Sequence, residues 1–197
     1  PNALPQNFVN RLTPNFQAAF KRKHILMLGS LKLYKSPLEF IELTKRLPQF
    51  IFVLVINDTK ENINIFIKEY KINISKNLTI YPQQNDVVPF YNQTSLVLNL
   101  SNKKQFVETF GLTALEAMSA GLPVIVPTEG GIAEMVVDGE NGYKIDVQNL
   151  NQIAECIKTI LSDETLYMEL AQNALAYSKR FSEAKMVNSI EMILNRK

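Results

Sequence analysis

The 197-residue chain has one cysteine, Cys156, and one histidine, His24. A single cysteine excludes an internal disulfide framework and a cysteine-built zinc site. A lone histidine makes a Ser/His/Asp triad formally possible, but nothing else supports one, and His24 reads as a residue entering a strand. Long hydrophobic runs are missing too: even Ile51 to Ile56 is far too short to cross a bilayer. No basic stretch followed by an apolar one opens the chain, so the expected location is the cytoplasm. Charge of one sign is scarce. Lys+Arg 21 against Asp+Glu 19 leaves +2, and the tightest basic cluster, Lys21-Arg22-Lys23, reads as a solvated turn. Nucleic acid held by bulk electrostatics is therefore not an expected partner. Sequons such as Asn77-Leu78-Thr79 and Asn99-Leu100-Ser101 fall in expected strands and read as chance.

What is present is an alternation of short apolar runs and longer amphipathic ones. Buried strands are expected at 24–29, 50–56, 78–81, 95–100, 124–126 and 143–145. Between them, a helix opens with Ser36 as cap, Pro37 at its first position and Glu39 three residues after the cap, and runs to Pro48. Another, capped by Asp58, runs to about Tyr70, and a short one covers 86–93. Thr109 to Ala120 reads as a helix stopped by Gly121 and Pro123, and a short helix covers 132–136. From Leu150 the pattern is helical, over 151–161, 164–178 and 182–194. Strands without polar alternation, separated by helices, predict a doubly wound, Rossmann-like parallel sheet with helices on both faces and a helical C-terminal end. The chain reads as one domain: a lead-in linker over 1–23, a βα core over 24–146 and C-terminal helices over 147–197. Such folds bind ligands beyond the carboxyl ends of their strands.

No strand-to-helix loop carries Gly-x-Gly-x-x-Gly or a P-loop, and no Asp-x-Asp offers a seat for a divalent metal. Of seven glycines, Gly29 stands alone and the rest crowd between Gly111 and Gly142. Two junctions follow strands and open helices: Glu108-Thr109-Phe110-Gly111-Leu112 and Thr128-Glu129-Gly130-Gly131-Ile132. Their unpaired N–H groups suit an anion, most simply a phosphate. Set against this, two glutamates eight apart are ordinary on any amphipathic helix, and a glycine pair can be a plain turn. Cys156, on the apolar face of a late helix, reads as packing.

These residues carry a resemblance. Glu108-Thr109-Phe110-Gly111-Leu112-Thr113-Ala114-Leu115-Glu116, then Ala120-Gly121-Leu122-Pro123-Val124-Ile125, resembles the Glu-x7-Glu signature of retaining GT-B glycosyltransferases, specifically glycosyltransferase family 4. Gly130-Gly131-Ile132-Ala133-Glu134 and Asp138-Gly139-Glu140-Asn141-Gly142 resemble the landmarks that follow it. Gly29-Ser30-Leu31 through Lys35-Ser36 is similar to the family's Gly-Arg-Leu…Lys-Gly loop, and Pro1-Asn2 to the start of its second domain. The resemblance implies the C-terminal, donor-binding half of a GT-B enzyme, with the N-terminal acceptor domain absent from this chain. It also implies transfer of a hexose from a nucleotide-diphosphate sugar with retention, without a protein nucleophile, metal or other cofactor.

By the same resemblance, Glu108 lies by the donor sugar and Lys35 on the leaving diphosphate. Glu116 accepts from the ribose hydroxyls, and the segment Phe110, Gly111, Leu112 and Thr113 binds the donor together with Gly29, Ser30, Gly130 and Gly131. Apart from the resemblance, Tyr81-Pro82-Gln83-Gln84 stands at the end of the third expected strand, where Pro82 and Gln83 are the expected base contacts. The acceptor, a saccharide or lipid-linked sugar, would come through the absent domain, with peripheral association at the inner membrane face. Two departures stand out. Ser30 replaces the family's arginine and Ser36 its glycine, so half the cationic clamp is missing; Lys32, or Lys103 and Lys104 in a long loop before Glu108, is the expected compensation. Alternative readings are a GT-B sugar-nucleotide epimerase and a decayed, non-catalytic binding module.

Overall fold

The computed structural model describes residues 3–181, so the helix expected over 182–194 and the Pro1-Asn2 pair lie outside the described residues. Six parallel strands form one sheet: β1 (His24–Gly29), β2 (Ile51–Ile56), β3 (Leu78–Tyr81), β4 (Leu96–Leu98), β5 (Val124–Val126) and β6 (Gly142–Lys144), in the order β3-β2-β1-β4-β5-β6. Register follows from the apolar runs: Leu26 pairs with Val53 on one side and Val97 on the other, and Ile125 with Leu98 and Tyr143. Every residue of β4 and β5 is buried, as in strands covered on both faces.

Helices connect and cover the strands: α3 (Pro37–Arg46), α4 (Lys60–Glu69), α5 (Val88–Asn92), α6 (Leu112–Ser119), α7 (Gly131–Glu134), α8 (Leu150–Ser162) and α9 (Glu164–Ser178). Helix α9 packs on α6 and α8, and its fully buried Tyr167 donates its hydroxyl to the Ser95 carbonyl at 2.8 Å, tying the C-terminal layer to the start of β4. Phe40 of α3 meets Phe52 of β2 edge-on at 5.4 Å, and burying a side chain of that size contributes about 2–3 kcal/mol. Asn77 is structural: its amide group lies 2.9–3.2 Å from the carbonyls of Thr44, Leu47 and Phe50, bracketing the turn into β2. Among the described residues no helix is long and apolar enough to cross a membrane.

Three local expectations are corrected. The lead-in is not a plain linker: α1 (Gln6–Val9) and α2 (Phe16–Arg22) form within it, and Leu4, Leu12 and Ala19 are buried in the core. Asn15 caps α2 through the Ala18 amide, a signal too short to stand out beside the stronger strand pattern that follows. Helix α4 is capped by Thr59, which accepts from the Asn62 amide, while Asp58 accepts from Asn62 Nδ2 and the Thr59 amide.

Ser36 does not cap α3. A 3₁₀ turn over Leu33–Lys35 closes through Ser36 N–H to the Leu33 carbonyl at 2.9 Å and drives Ser36 into the left-handed region, φ 58°. Its hydroxyl is sealed from solvent without a hydrogen-bond partner. The left-handed conformation costs a non-glycine residue about 1–2 kcal/mol and an unpaired buried hydroxyl about 1–3 kcal/mol more, against roughly 1 kcal/mol for the extra unfolded-state freedom of glycine. Ser36→Gly is therefore expected to raise the thermal midpoint by about 2–4 °C, corresponding to about 1 kcal/mol. A midpoint equal to or below wild type in a melting scan refutes this.

Candidate functional site

The sheet order reverses direction at β1, whose neighbours are β2 and β4. The chain builds outward through β2 and β3, then returns to lay β4 on the other side. A crevice opens beyond the carboxyl ends at such a point, and here a cleft of about 320 Å³ occupies it. Of the residues singled out in the sequence, Gly29, Ser30, Lys35, Glu108, Phe110, Gly111, Leu112 and Thr113 line it. Asn57, Asn99 and Ser101 line it as well and were not expected; each stands at or just past the end of a strand, which is the signal that points to them.

At its centre Lys35 Nζ lies 2.5 Å from Glu108 Oε2, with Ser101 Oγ 3.3 Å from the ammonium and 3.1 Å from the same carboxylate oxygen. The side chains are 23% and 16% exposed, so water screens the pair only in part. Helix α6 begins at Leu112, not at Thr109, because Gly111 takes a non-helical conformation (φ −87°, ψ 74°). The amides of Thr113 and Ala114 in its first turn have no acceptor among the described residues. A cation, a carboxylate and the unpaired Thr113 amide at the start of α6 thus belong to residues lining one cleft, an arrangement suited to holding an anion next to a hydrogen-bonding group.

The loop before Glu108 is built by specific contacts. Asn102 N–H donates to the Tyr34 carbonyl at 2.7 Å, and the Asn102 side chain accepts from Lys104 N–H and Gln148 Nε2. Phe106 stacks on Tyr34 with centroids 4.8 Å apart. Lys103 is not turned to the cleft to replace the missing arginine. Its ammonium lies 2.6 Å from Glu129, 2.9 Å from Asp146 and 2.7 Å from Thr128 Oγ1, and hydrogen bonds to Glu129 and then Asp146 hold its pKa above the usual lysine value. The lysine fastens the Glu108 loop to the β5–α7 loop. Lys32 and Lys104 do not line the cleft either.

Gly130 and Gly131 also lie outside the cleft lining. Gly130 sits at φ 97°, and a β-carbon on it would overlap the Glu108 carbonyl oxygen; one on Gly131 would overlap that of Thr109. The glycine pair is needed because main chain packs against main chain, which fixes the loop bearing Glu108. Pro82 and Gln83 are not part of the cleft lining, though Gln83 N–H bonds at 2.9 Å to the carbonyl of Asp58, which follows the lining residue Asn57. His24 is at the opposite, amino end of β1, its Nδ1 3.0 Å from the Gln93 carbonyl. Burial pushes the Cys156 thiol up to about 12, the mark of an inert packed cysteine.

Glu116 stands one helical turn beyond Leu112, on the same face of α6 but past the cleft lining. Its Oε2 accepts from the hydroxyl of Tyr91 on α5 at 2.6 Å. Burial raises the Glu116 pKa and the Tyr91 hydrogen bond pulls it back; Tyr91, fully buried next to that carboxylate, titrates well above the usual tyrosine value.

Comparison with known proteins bears on the family and the fold. The profile of the family "Glycosyl transferases group 1" matches residues 11–177. N-acetyl-alpha-D-glucosaminyl L-malate synthase of Bacillus anthracis is 30% identical over 142 residues, 72% of this chain and 36% of that protein. Among solved structures, the C-terminal domain of a glycosyl transferase group 1 family protein from Francisella tularensis superimposes with a TM-score of 0.70 at 25% identity, over 89% of this chain and 98% of that one. Anabaena HepE, solved with UDP and glucose, gives 0.77 at 22% identity over 98% of this chain and 53% of its own. The chain thus spans about half the length of that GT-B structure and a smaller share of the curated relative. Matched along most of its length by the family profile, and folded as one Rossmann-like half of a GT-B glycosyltransferase, the chain belongs to the glycosyl transferases group 1 family.

Proposed function

We propose that this chain is the donor-binding half of a retaining hexosyltransferase that takes a nucleotide-diphosphate sugar. The observation that carries the reading is the convergence of Lys35, Glu108 and the start of α6, with its unpaired Thr113 amide, on one cleft, with the Glu116 carboxylate one turn further along the same helix. A diphosphate between Lys35 and the start of α6 meets positive charge from both, and charge growing on the leaving oxygen is stabilised where it develops. Glu116 accepts from the pentose hydroxyls, and Glu108 addresses the sugar once the diphosphate has drawn Lys35 away from it. Retention by front-face attack, with the donor phosphate taking the acceptor proton, asks for no protein nucleophile and no resident metal. UDP bound to HepE, a structure of the same fold, supports the nucleotide class.

The acceptor reaches this site through a second domain, so the isolated chain binds donor and transfers little. Cytoplasmic synthesis of a surface polysaccharide or glycolipid, at or near the membrane's inner face, is the setting that suits these partners. Ser30 in place of an arginine, with Lys35 engaged by Glu108, favours a second reading: a module that has lost transfer and kept a weak site.

Thermal shift with UDP-, GDP-, dTDP- and ADP-sugars, on wild type and Glu116→Ala, tests both. Ligand at about 100 times its Kd stabilises by about 2.7 kcal/mol, which in a chain of this size is about 5–10 °C. One nucleotide class should produce such a shift in wild type and none in Glu116→Ala. A flat wild-type panel favours the second reading; a shift that survives the substitution removes Glu116 from the site.

A further inference from the structure

Glu116 has two inequivalent carboxylate oxygens. Oε2 is taken by Tyr91, whereas Oε1 has no hydrogen-bond partner among the described residues and is not sealed from solvent, since Ser36 Oγ is the one unpartnered buried side-chain atom among them. Tyr91 itself is 1% exposed and held from behind. Phe8 of α1 meets its ring edge-on at 6.2 Å. The short helix that carries it is anchored at both ends: Asp86 accepts from the Val88 amide and pairs with Arg11, and Asn92 accepts from the Thr13 amide and donates to the Arg11 carbonyl. The lead-in segment therefore braces α5, and α5 presents one rigid hydroxyl to Glu116.

Resting on the donor-site reading above, we infer that Tyr91 is a positioning residue for nucleotide binding: its hydroxyl clamps one oxygen of Glu116 and leaves Oε1 alone to receive the pentose hydroxyls of a nucleoside diphosphate. A glutamate on an open helix face samples several rotamers and must be ordered by its ligand; one pinned through Oε2 is ordered beforehand, so the ligand does not bear that cost. The clamp also favours the ionised form of the carboxylate. Burial favours the neutral acid, the Tyr91 hydrogen bond opposes it, and no other titratable group acts on Glu116 among the described residues. A protonated carboxyl is a poorer acceptor, so binding falls as pH drops through the Glu116 pKa.

The test is calorimetric titration of the whole chain with UDP, GDP, ADP and dTDP from about pH 4 to about pH 8, a range that starts just below the ordinary glutamate value and runs upward. Tyr91→Phe keeps the ring and removes only the hydroxyl. It should weaken the bound nucleotide about tenfold at neutral pH, as expected for loss of a hydrogen bond to a charged group. Its acid limb should also move to higher pH, because the interaction that lowers the Glu116 pKa is gone. In a Glu116→Gln background the same change should cost little further, since the effect runs through the carboxylate. An unchanged affinity and acid limb in Tyr91→Phe overturns the inference, as does an equal loss in both backgrounds, which would signal general loosening. Wild type that binds none of the four nucleotides overturns the donor-site reading and this one together; wild type that binds while Tyr91→Phe matches it overturns this one alone.

Discussion

Gly131→Ala is expected to cost about 3 kcal/mol and to lower the thermal midpoint by about 6–12 °C. Nothing in local propensity predicts this. Gly131 is the first residue of α7, where alanine is the better helix former, and its φ is ordinary. The cost is steric: the new methyl would occupy the space of the Thr109 carbonyl oxygen, a main-chain atom that cannot rotate aside. Relief requires the 107–111 loop to move, which carries Glu108 away from Lys35 and shifts Gly111 at the start of α6. The nucleotide-dependent thermal shift should disappear with the stability. Gly139→Ala is the comparison: no atom lies within 4 Å of its added β-carbon, and only the left-handed φ of 76° opposes it, so about 1 kcal/mol is expected. Urea unfolding of both variants decides the matter, and near-equal losses would show that the packing of the two loops is soft.

Lys35→Met carries the second large effect and separates binding from folding. A hydrogen bond to a charged group contributes about 1.5–3 kcal/mol, so loss of this cation should reduce affinity for a nucleotide diphosphate by about 10- to 100-fold. Without ligand, the change leaves Glu108 in a site 16% exposed with Ser101 as its remaining partner, a destabilisation of about 1–2 kcal/mol. Lys35→Met with Glu108→Gln should recover most of that stability, because no unpaired charge remains, but none of the affinity. Chemical denaturation and calorimetry on Lys35→Met, Glu108→Gln and the double variant give the coupling directly. Binding that survives Lys35→Met shows that the diphosphate is held elsewhere; stability that fails to recover in the double variant shows that the ion pair is not what the single change disrupts.

Much of the molecule is legible along the chain. The apolar runs at 24–29, 51–56 and 124–126 are strands, and Gly121 with Pro123 ends a helix where expected, Gly121 at φ 71°. The landmarks from Glu108 to Gly142 point to the family that the profile also identifies. Boundaries shifted where a neighbour intervened: α6 starts at Leu112 rather than Thr109 because the preceding residues lie against Gly130 and Gly131. Helices α1 and α2 leave little mark in the sequence because each is short, and their burial depends on a core assembled by distant strands.

Strand periodicity, helix stops and the spacing of two glutamates are local properties, set by which side chains avoid water and which backbone positions tolerate a turn, and a linear reading recovers them. Pairing is different. Lys35 meets Glu108 across 73 residues and Tyr91 meets Glu116 across 25, while Lys103, free to look like a phosphate ligand on paper, is engaged by Glu129 and Asp146. Those choices depend on the order in which parallel strands assemble and on which loops that order presses together, and the interaction energies that reward them exist only once water has been excluded between the partners.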